Sequence, residues 1–316
     1  MQSRKTFTVV RAAVPGLAFA ALAAFAANPA AQATPVFQYG YDYTTGTVAD
    51  YDSGVINDDS GAGNHGRAST VPGATSGGEY TPDIPDAALL QNTTGIGSVD
   101  LTNGRHLTSN TNIFNRADII AGGGLTVQVW IKPSANSGTD NWSGDIHELI
   151  LSDGGYYSIG VGDPAGALGT EGDGVVRVGP YLSSSMVGSG AEVPEDEWSH
   201  LAIVFSNPTE NGANTNAALD FYVNGTLVET IASVDFTTAG QANPDPPRGI
   251  GLGFHPFADA TGNIFYDEMA FQGKVFEPVV TLAALNPSEF TVIPEPGTAA
   301  LTLAGLAMFA TRRRKA

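Results

Sequence analysis

Residues Asn57 to Gly66, read as Asn-Asp-Asp-Ser-Gly-Ala-Gly-Asn-His-Gly, group several chemically capable side chains on one short stretch. Asp58, Asp59 and Asn64 put hard oxygens on a tight, glycine-containing turn, the donor type that calcium takes in sets of six to eight. The same residues also suit a simple turn closed by Asp59, Ser60 and Gly61. His65 and His200 are further metal or catalytic candidates, although His200 beside Trp198 reads as a structural strand residue. Trp142, in the polar loop Asn141-Trp142-Ser143, is placed to stack on a sugar ring, with Tyr156, Tyr157 and Tyr181 as weaker candidates. Catalytic pairing is poorly supported. Glycoside hydrolysis needs two carboxylates flanking one bond. Asp145 and Glu148 are three apart and Asp267 and Glu268 are adjacent, so on a strand each pair splits between opposite faces. The chain contains no G-x-S-x-G, H-E-x-x-H or phosphate-loop pattern. A binding role is expected, not an enzyme.

The elements that must position these groups are strands. Leu125 to Ile131 alternates apolar and polar residues, as do Leu219 to Val223 and Thr226 to Ile231, and the last two flank the turn pair Asn224-Gly225. That arrangement predicts a hairpin with a type I′ turn. Trp198 to Phe205 is apolar on both faces, as in a buried strand. Glu148–Leu151, Tyr156–Val161, Val175–Val178, Ile250–Phe254 and Ile264–Phe271 add further strands, separated by Gly, Pro, Asn and Asp. No helical periodicity exceeds about two turns before the tail. The expectation is an all-β sandwich or barrel. Ser69 to Asp86 is rich in Gly, Pro, Ser and Thr and reads as a surface excursion, and Asn243 to Arg248 as a proline-rich loop.

Both chain ends are set apart. Arg4, Lys5 and Arg11 precede an apolar run to Ala27, and Ala31-Gln32-Ala33 supplies an A-x-A site, the layout of a signal peptide cut after Ala33. Residues 1–33 are therefore set aside from the folded domain, assigned to 34–291. The last segment, 292–316, holds Pro294-Glu295-Pro296, an apolar stretch, and Arg312, Arg313, Arg314 and Lys315. Thr298 to Thr311 spans about 21 Å as a helix, short against a bilayer core of about 30 Å. It suits transient membrane insertion with the basic end in the cytoplasm.

Composition narrows the partners. Between residues 34 and 291 seven Lys and Arg face 31 Asp and Glu, a formal charge of −24. Such a surface repels nucleic acid and anionic lipid, while neutral polysaccharide and divalent cations remain compatible. The chain has no cysteine, so an exported domain of this size relies on its core or on a metal, not on disulfides.

Five segments in order resemble LamG-like, concanavalin A-like jelly-roll domains: Asn57–Gly66, Leu125–Pro133 (LTVQVWIKP), Glu197–Ala202 (EWSHLA), Phe221–Gly225 (FYVNG) and Tyr266–Ala270 (YDEMA). Together they cover roughly Val36 to Leu285. The resemblance implies an antiparallel two-sheet jelly-roll sandwich with first and last strands as neighbours. It also implies a calcium ion near the N-terminal loop, held by Asp58, Asp59 and Asn64 with Asp267 approaching from a late strand. The Pro-Glu-Pro, apolar run and arginine cluster resemble the PEP-CTERM sorting signal of Gram-negative bacteria that make exopolysaccharide. That implies export across the inner membrane, recognition of Pro294-Glu295-Pro296 by an exosortase-type enzyme, and delivery to the cell surface or matrix. The function expected is binding of extracellular glycan, with Trp142 and Tyr157 as ligand contacts. The competing expectation is a structural surface or biofilm component with no specific ligand.

Overall fold

The computed structural model describes residues 33–47, 55–68, 78–102, 106–108, 116–134, 147–152, 158–162, 175–179, 187–211, 214–236, 250–253, 256–258, 264–266 and 271–292. The strands in chain order begin with β1 (Pro35–Gln38), β2 (Val55–Ile56), β3 (Gly66–Ala68), β4 (Glu79–Thr81), β5 (Ser98–Asp100) and β6 (His106–Thr108). Then come β7 (Gly124–Pro133), β8 (His147–Ser152), β9 (Ser158–Gly162), β10 (Val175–Gly179), β11 (Val187–Glu192) and β12 (Ser199–Asn211). The series ends with β13 (Asn214–Val223), β14 (Thr226–Phe236), β15 (Gly251–Leu252), β16 (Pro256–Ala258), β17 (Ile264–Tyr266) and β18 (Gly273–Thr281).

Two eight-stranded sheets form from these. The first runs β14-β13-β12-β7-β18-β5-β4, with β1 also paired to β18; the second runs β11-β10-β9-β8-β15-β6-β3-β2. Every pairing described is antiparallel. The β13–β14 hairpin turns on Asn224 and Gly225, whose φ values of 50° and 71° are those the type I′ turn requires. Asn224 is tied in twice: its N–H donates to the His200 carbonyl and its Oδ1 accepts from the His200 N–H, both at 2.8 Å.

The core lies between the sheets. Val127, Val129, Ile131, Leu201, Ile203, Phe205, Leu219 and Phe221 of the first sheet share one buried cluster with Ile150, Leu151, Ile159 and Leu252 of the second. These are the apolar positions of the period-2 runs, so alternation placed them on one face. First and last strands are neighbours, Pro35 facing Thr281 and Gln38 facing Val279.

The opposite face of the first sheet is also buried, which alternation alone did not predict. Trp130, Ala202, Val204 and Phe276 pack there against Leu285, Phe290 and Val292 from the chain's C-terminal stretch. The polar residues of β7 dock this strap. Thr126 Oγ1 donates to the Ala283 carbonyl and accepts from Leu285 N–H, and Gln128 Oε1 accepts from Thr291 N–H. Gln91 Nε2 holds the Val292 carbonyl at 2.7 Å, and Leu90 forms a bridge with Val292.

The segment expected to be a surface excursion is partly structural. β4 joins the first sheet, and Tyr80 is buried against Tyr41 and Tyr43. Its strand has three residues between glycine- and proline-rich flanks, too short to register as a periodicity. Asp83, two residues beyond β4, anchors the chain to the sheet. Its Oδ2 accepts from Lys132 Nζ at 2.9 Å and Lys274 Nζ at 2.6 Å, and its Oδ1 from Trp198 Nε1. Burial alone would raise this carboxyl, but hydrogen bonds from Lys274, Lys132 and Trp198 outweigh it and hold it at about 2. Among the described residues no helix is long and apolar enough to cross a membrane.

Candidate functional site

The acidic loop follows β2 and folds back on β1. Asp58 is the organiser. Its Oδ1 accepts from Gln38 N–H and Ser60 N–H, both at 3.0 Å, and its Oδ2 from Asn64 N–H at 2.8 Å. Its own N–H donates to His65 Nδ1. Gly61 and Gly63 both take φ 80°, the left-handed conformation that lets so short a loop return on one side chain. Asn64 Nδ2 donates to the Val36 carbonyl, while the Asn64 carbonyl accepts from the Tyr39 hydroxyl. Asp59 is exposed, and its Oδ2 accepts from Gly40 N–H at 3.1 Å and Thr94 Oγ1 at 2.8 Å. A Cβ on Gly40 would collide with these same atoms of Asp59 and Thr94, so only glycine permits the approach.

A small, shallow, solvent-open cleft lies beside this loop. Tyr41, Tyr43 and Tyr80 line it, with Asp42, Asn57 and Asp59. Tyr41 and Tyr80 are buried and pack edge to face at 6.1 Å, whereas Asp42, Asn57 and Asp59 are exposed. The cleft thus pairs an aromatic floor with an oxygen-rich mouth. Burial, with the neighbouring Tyr80 and Glu277, pushes the Tyr41 hydroxyl well above its ordinary value, so it stays a neutral phenol.

The sequence-expected residues divide between those the structure places and those outside it. Asp58, Asp59 and Asn64 come together with β1. Asp267, Trp142, Tyr157, Pro294, Glu295, Pro296, Arg312, Arg313 and Arg314 lie outside the described residues. Ala33 is half-buried and packs against the outer-face cluster. His200 is fully buried under the strap, where burial lowers it to about 3 and keeps it neutral. Of the Asp58 oxygens, Oδ1 has both lone pairs taken by amides, while Oδ2 accepts one N–H and keeps a lone pair for an ion. Among the described residues no group of three or more His, Asp or Glu side chains is placed to hold a metal. An ion at this loop would draw on ligands beyond them, of which Asp267 is the expected one.

Sequence reasoning missed Tyr41, Asp42, Tyr43 and Tyr80. The signal that could have found them is the aromatic run Tyr39, Tyr41 and Tyr43 at period 2, ahead of the acidic loop.

Two antiparallel sheets over a shared core, the first strand paired to the last and carrying an acidic loop, make a β-sandwich. The chain belongs to the concanavalin A-like lectin/glucanases superfamily, whose family model matches residues 102–278. No curated protein matches it. Among solved structures it is similar to domain 4 of a GH43 extracellular arabinanase from Geobacillus stearothermophilus, in complex with arabinotriose. There the identity is 16% and the TM-score 0.45, over 82% of this chain and 97% of that one. It is also similar to the binding domain of Paraclostridial Mosquitocidal Protein 1, at 14% identity and TM-score 0.45 over 81% of this chain and 50% of that one. A heptameric SAP-like pentraxin from Limulus polyphemus matches at 16% identity and TM-score 0.33, over 52% and 66%.

Proposed function

We propose that this is an exported surface or matrix protein whose concanavalin A-like domain binds neutral extracellular glycan without cleaving it. The observation that carries this reading is membership of the lectin/glucanase superfamily over residues 102–278. The cleft supports it: the half-buried Tyr43 with exposed carboxylate and amide oxygens suits the apolar face and hydroxyls of a sugar. The −24 charge of residues 34–291 disfavours uronate-rich or sulfated chains. Presenting the full chain to a glycan array tests this. Reproducible selectivity for neutral sugars is expected, reduced at least tenfold by Asp42→Ala with Tyr43→Ala. Trp142→Ala reports on the second expected contact. Uniform weak binding across the array would instead favour the structural-component reading.

We further propose that an exosortase-type enzyme processes the tail at Pro294-Glu295-Pro296, on the strength of that tripeptide, the apolar run and Arg312–Arg314. Glu295→Ala is expected to leave an uncleaved form in the inner membrane. Unchanged mature mass and unchanged surface delivery in that variant would sink the proposal.

A further inference from the structure

The strap that crosses the outer face of the first sheet is pinned residue by residue at its end. The Phe290 carbonyl accepts from Asn92 Nδ2 at 3.3 Å. Thr291 N–H donates to Gln128 Oε1 at 2.9 Å, and the Thr291 carbonyl accepts from Gln91 N–H at 3.1 Å. The Val292 carbonyl accepts from Gln91 Nε2 at 2.7 Å, and the same amide lies 3.5 Å from the Ser288 carbonyl. Phe290, Thr291 and Val292 are all buried. Only Ile293 separates Val292 in the sequence from Pro294, the first residue of the tripeptide proposed above as the processing signal.

The clamp is anchored in the sandwich. Asn92 takes φ 55°, and just beyond it the Thr94 and Gly95 N–H groups donate to Glu277 at 2.7 and 2.8 Å. Glu277 is fully buried in β18, between the residues that pair β5 and those that pair β1. Ile96 and Gly97 N–H both donate to the Tyr41 carbonyl, and a Cβ on Gly97 would fall on the Tyr43 carbonyl. With Gln91 and Asn92 fixed in this way, the strap is the part that can lift.

An enzyme that takes up an extended chain holds it through main-chain hydrogen bonds to successive residues. Pro294 and Pro296 have no N–H, so within the tripeptide Glu295 alone can donate. The grip must therefore reach the flanking residues, and on the N-terminal side these are the ones bonded to Gln91, Asn92 and Gln128.

We infer that docking of the strap gates removal of the tail: the processing enzyme acts on the state in which Phe290–Val292 have left Gln91 and Asn92. This rests on the tail-processing reading and concerns its rate. Where such an opening is fast compared with cutting, the rate of cutting follows the population of the opened state.

Pulse-labelled cells making the full chain test the gate. Gln91→Ala removes both Nε2 contacts, and Asn92→Gly removes the bond to Phe290 while keeping the positive φ. Losing one such bond raises the opened population roughly fivefold. Each variant is therefore expected to reach mature mass several-fold faster than the parent, whereas Glu295→Ala does not reach it. Parental rates in both clamp variants, with Glu295→Ala blocked, overturn the gate and leave the sorting reading standing. Normal maturation of Glu295→Ala sinks the sorting reading and the gate together. Limited proteolysis of the purified full chains separates strap opening from general unfolding. New cuts between Ala283 and Val292, several-fold faster in the variants with cutting elsewhere unchanged, are expected. Equal cutting of the strap in parent and variants, or faster cutting throughout both variants, refutes the gate.

Discussion

Phe290→Ala is expected to lower the unfolding midpoint of the full chain by roughly 10 °C. Phe290 is fully buried on the outer face of the first sheet, edge to face with Tyr222 at 5.1 Å and near His200 at 6.0 Å. Truncating such a ring costs about 3–5 kcal/mol through lost transfer energy and the cavity left behind. For a domain of about 150–250 residues each kcal/mol moves the midpoint by about 2–4 °C. A second signature separates loss of the strap from loss of bulk. In the parent, the fully buried His200 is neutral, held at about 3, with its Nε2 3.0 Å from Thr291 Oγ1. A histidine lowered in the folded state makes stability fall as pH drops from the unfolded value near 6.5. If Phe290→Ala loosens the strap, His200 gains water and its value moves back toward 6.5, so the variant should depend less on pH between about 4 and 6. A midpoint within about 2 °C of the parent would mean that the strap contributes little to the folded unit.

The strap shows where sequence reading loses its grip. Asn224-Gly225 between two alternating runs announced its hairpin, because the turn chemistry and both strands are local. β7 announced itself too, but its alternation suggested one wet face. Thr126 and Gln128 instead serve as docking groups for a segment about 160 residues later. No local pattern encodes such a pairing, and Asn-Pro-Ser-Glu-Phe-Thr-Val has neither helix nor strand period. Glu277 was illegible for a related reason. Glu-Pro within an apolar run reads as a break at the surface, and only the partner change of β18 makes it a buried hub. At the candidate site, the acidic loop was legible as a cluster of oxygens. What those oxygens do was not, since turn and ion site use the same residues.

Asp58→Ala separates those two roles, and its expected effect is a midpoint loss of about 10 °C or more. The side chain is 7% exposed and accepts three backbone N–H groups, from Gln38, Ser60 and Asn64. Leaving a buried donor without its acceptor costs about 1–3 kcal/mol. Water entering the cavity recovers part of that at this loop's edge, so about 3–5 kcal/mol in total is expected. Asp58→Asn should lie between, because its oxygen can still serve two amides while its NH₂ opposes the third. The calcium ion expected from the sequence makes a different forecast. A ligand specific to the native state stabilises it by about 2.7 kcal/mol at a hundredfold excess over Kd. Chelator should then lower the parent's midpoint by several degrees, calcium should restore it and magnesium should not, and Asp59→Ala should abolish the response. If Asp58 acts through the amides it holds, Asp58→Ala is destabilised equally in chelator and in calcium. If it acts as an ion ligand, its penalty largely disappears in chelator, where the parent has already lost the ion. The hydrogen bonds make the first outcome the expected one: both lone pairs of Oδ1 and one of Oδ2 are given to N–H groups, so the loop is closed by its own backbone whether or not an ion is added at the remaining lone pair.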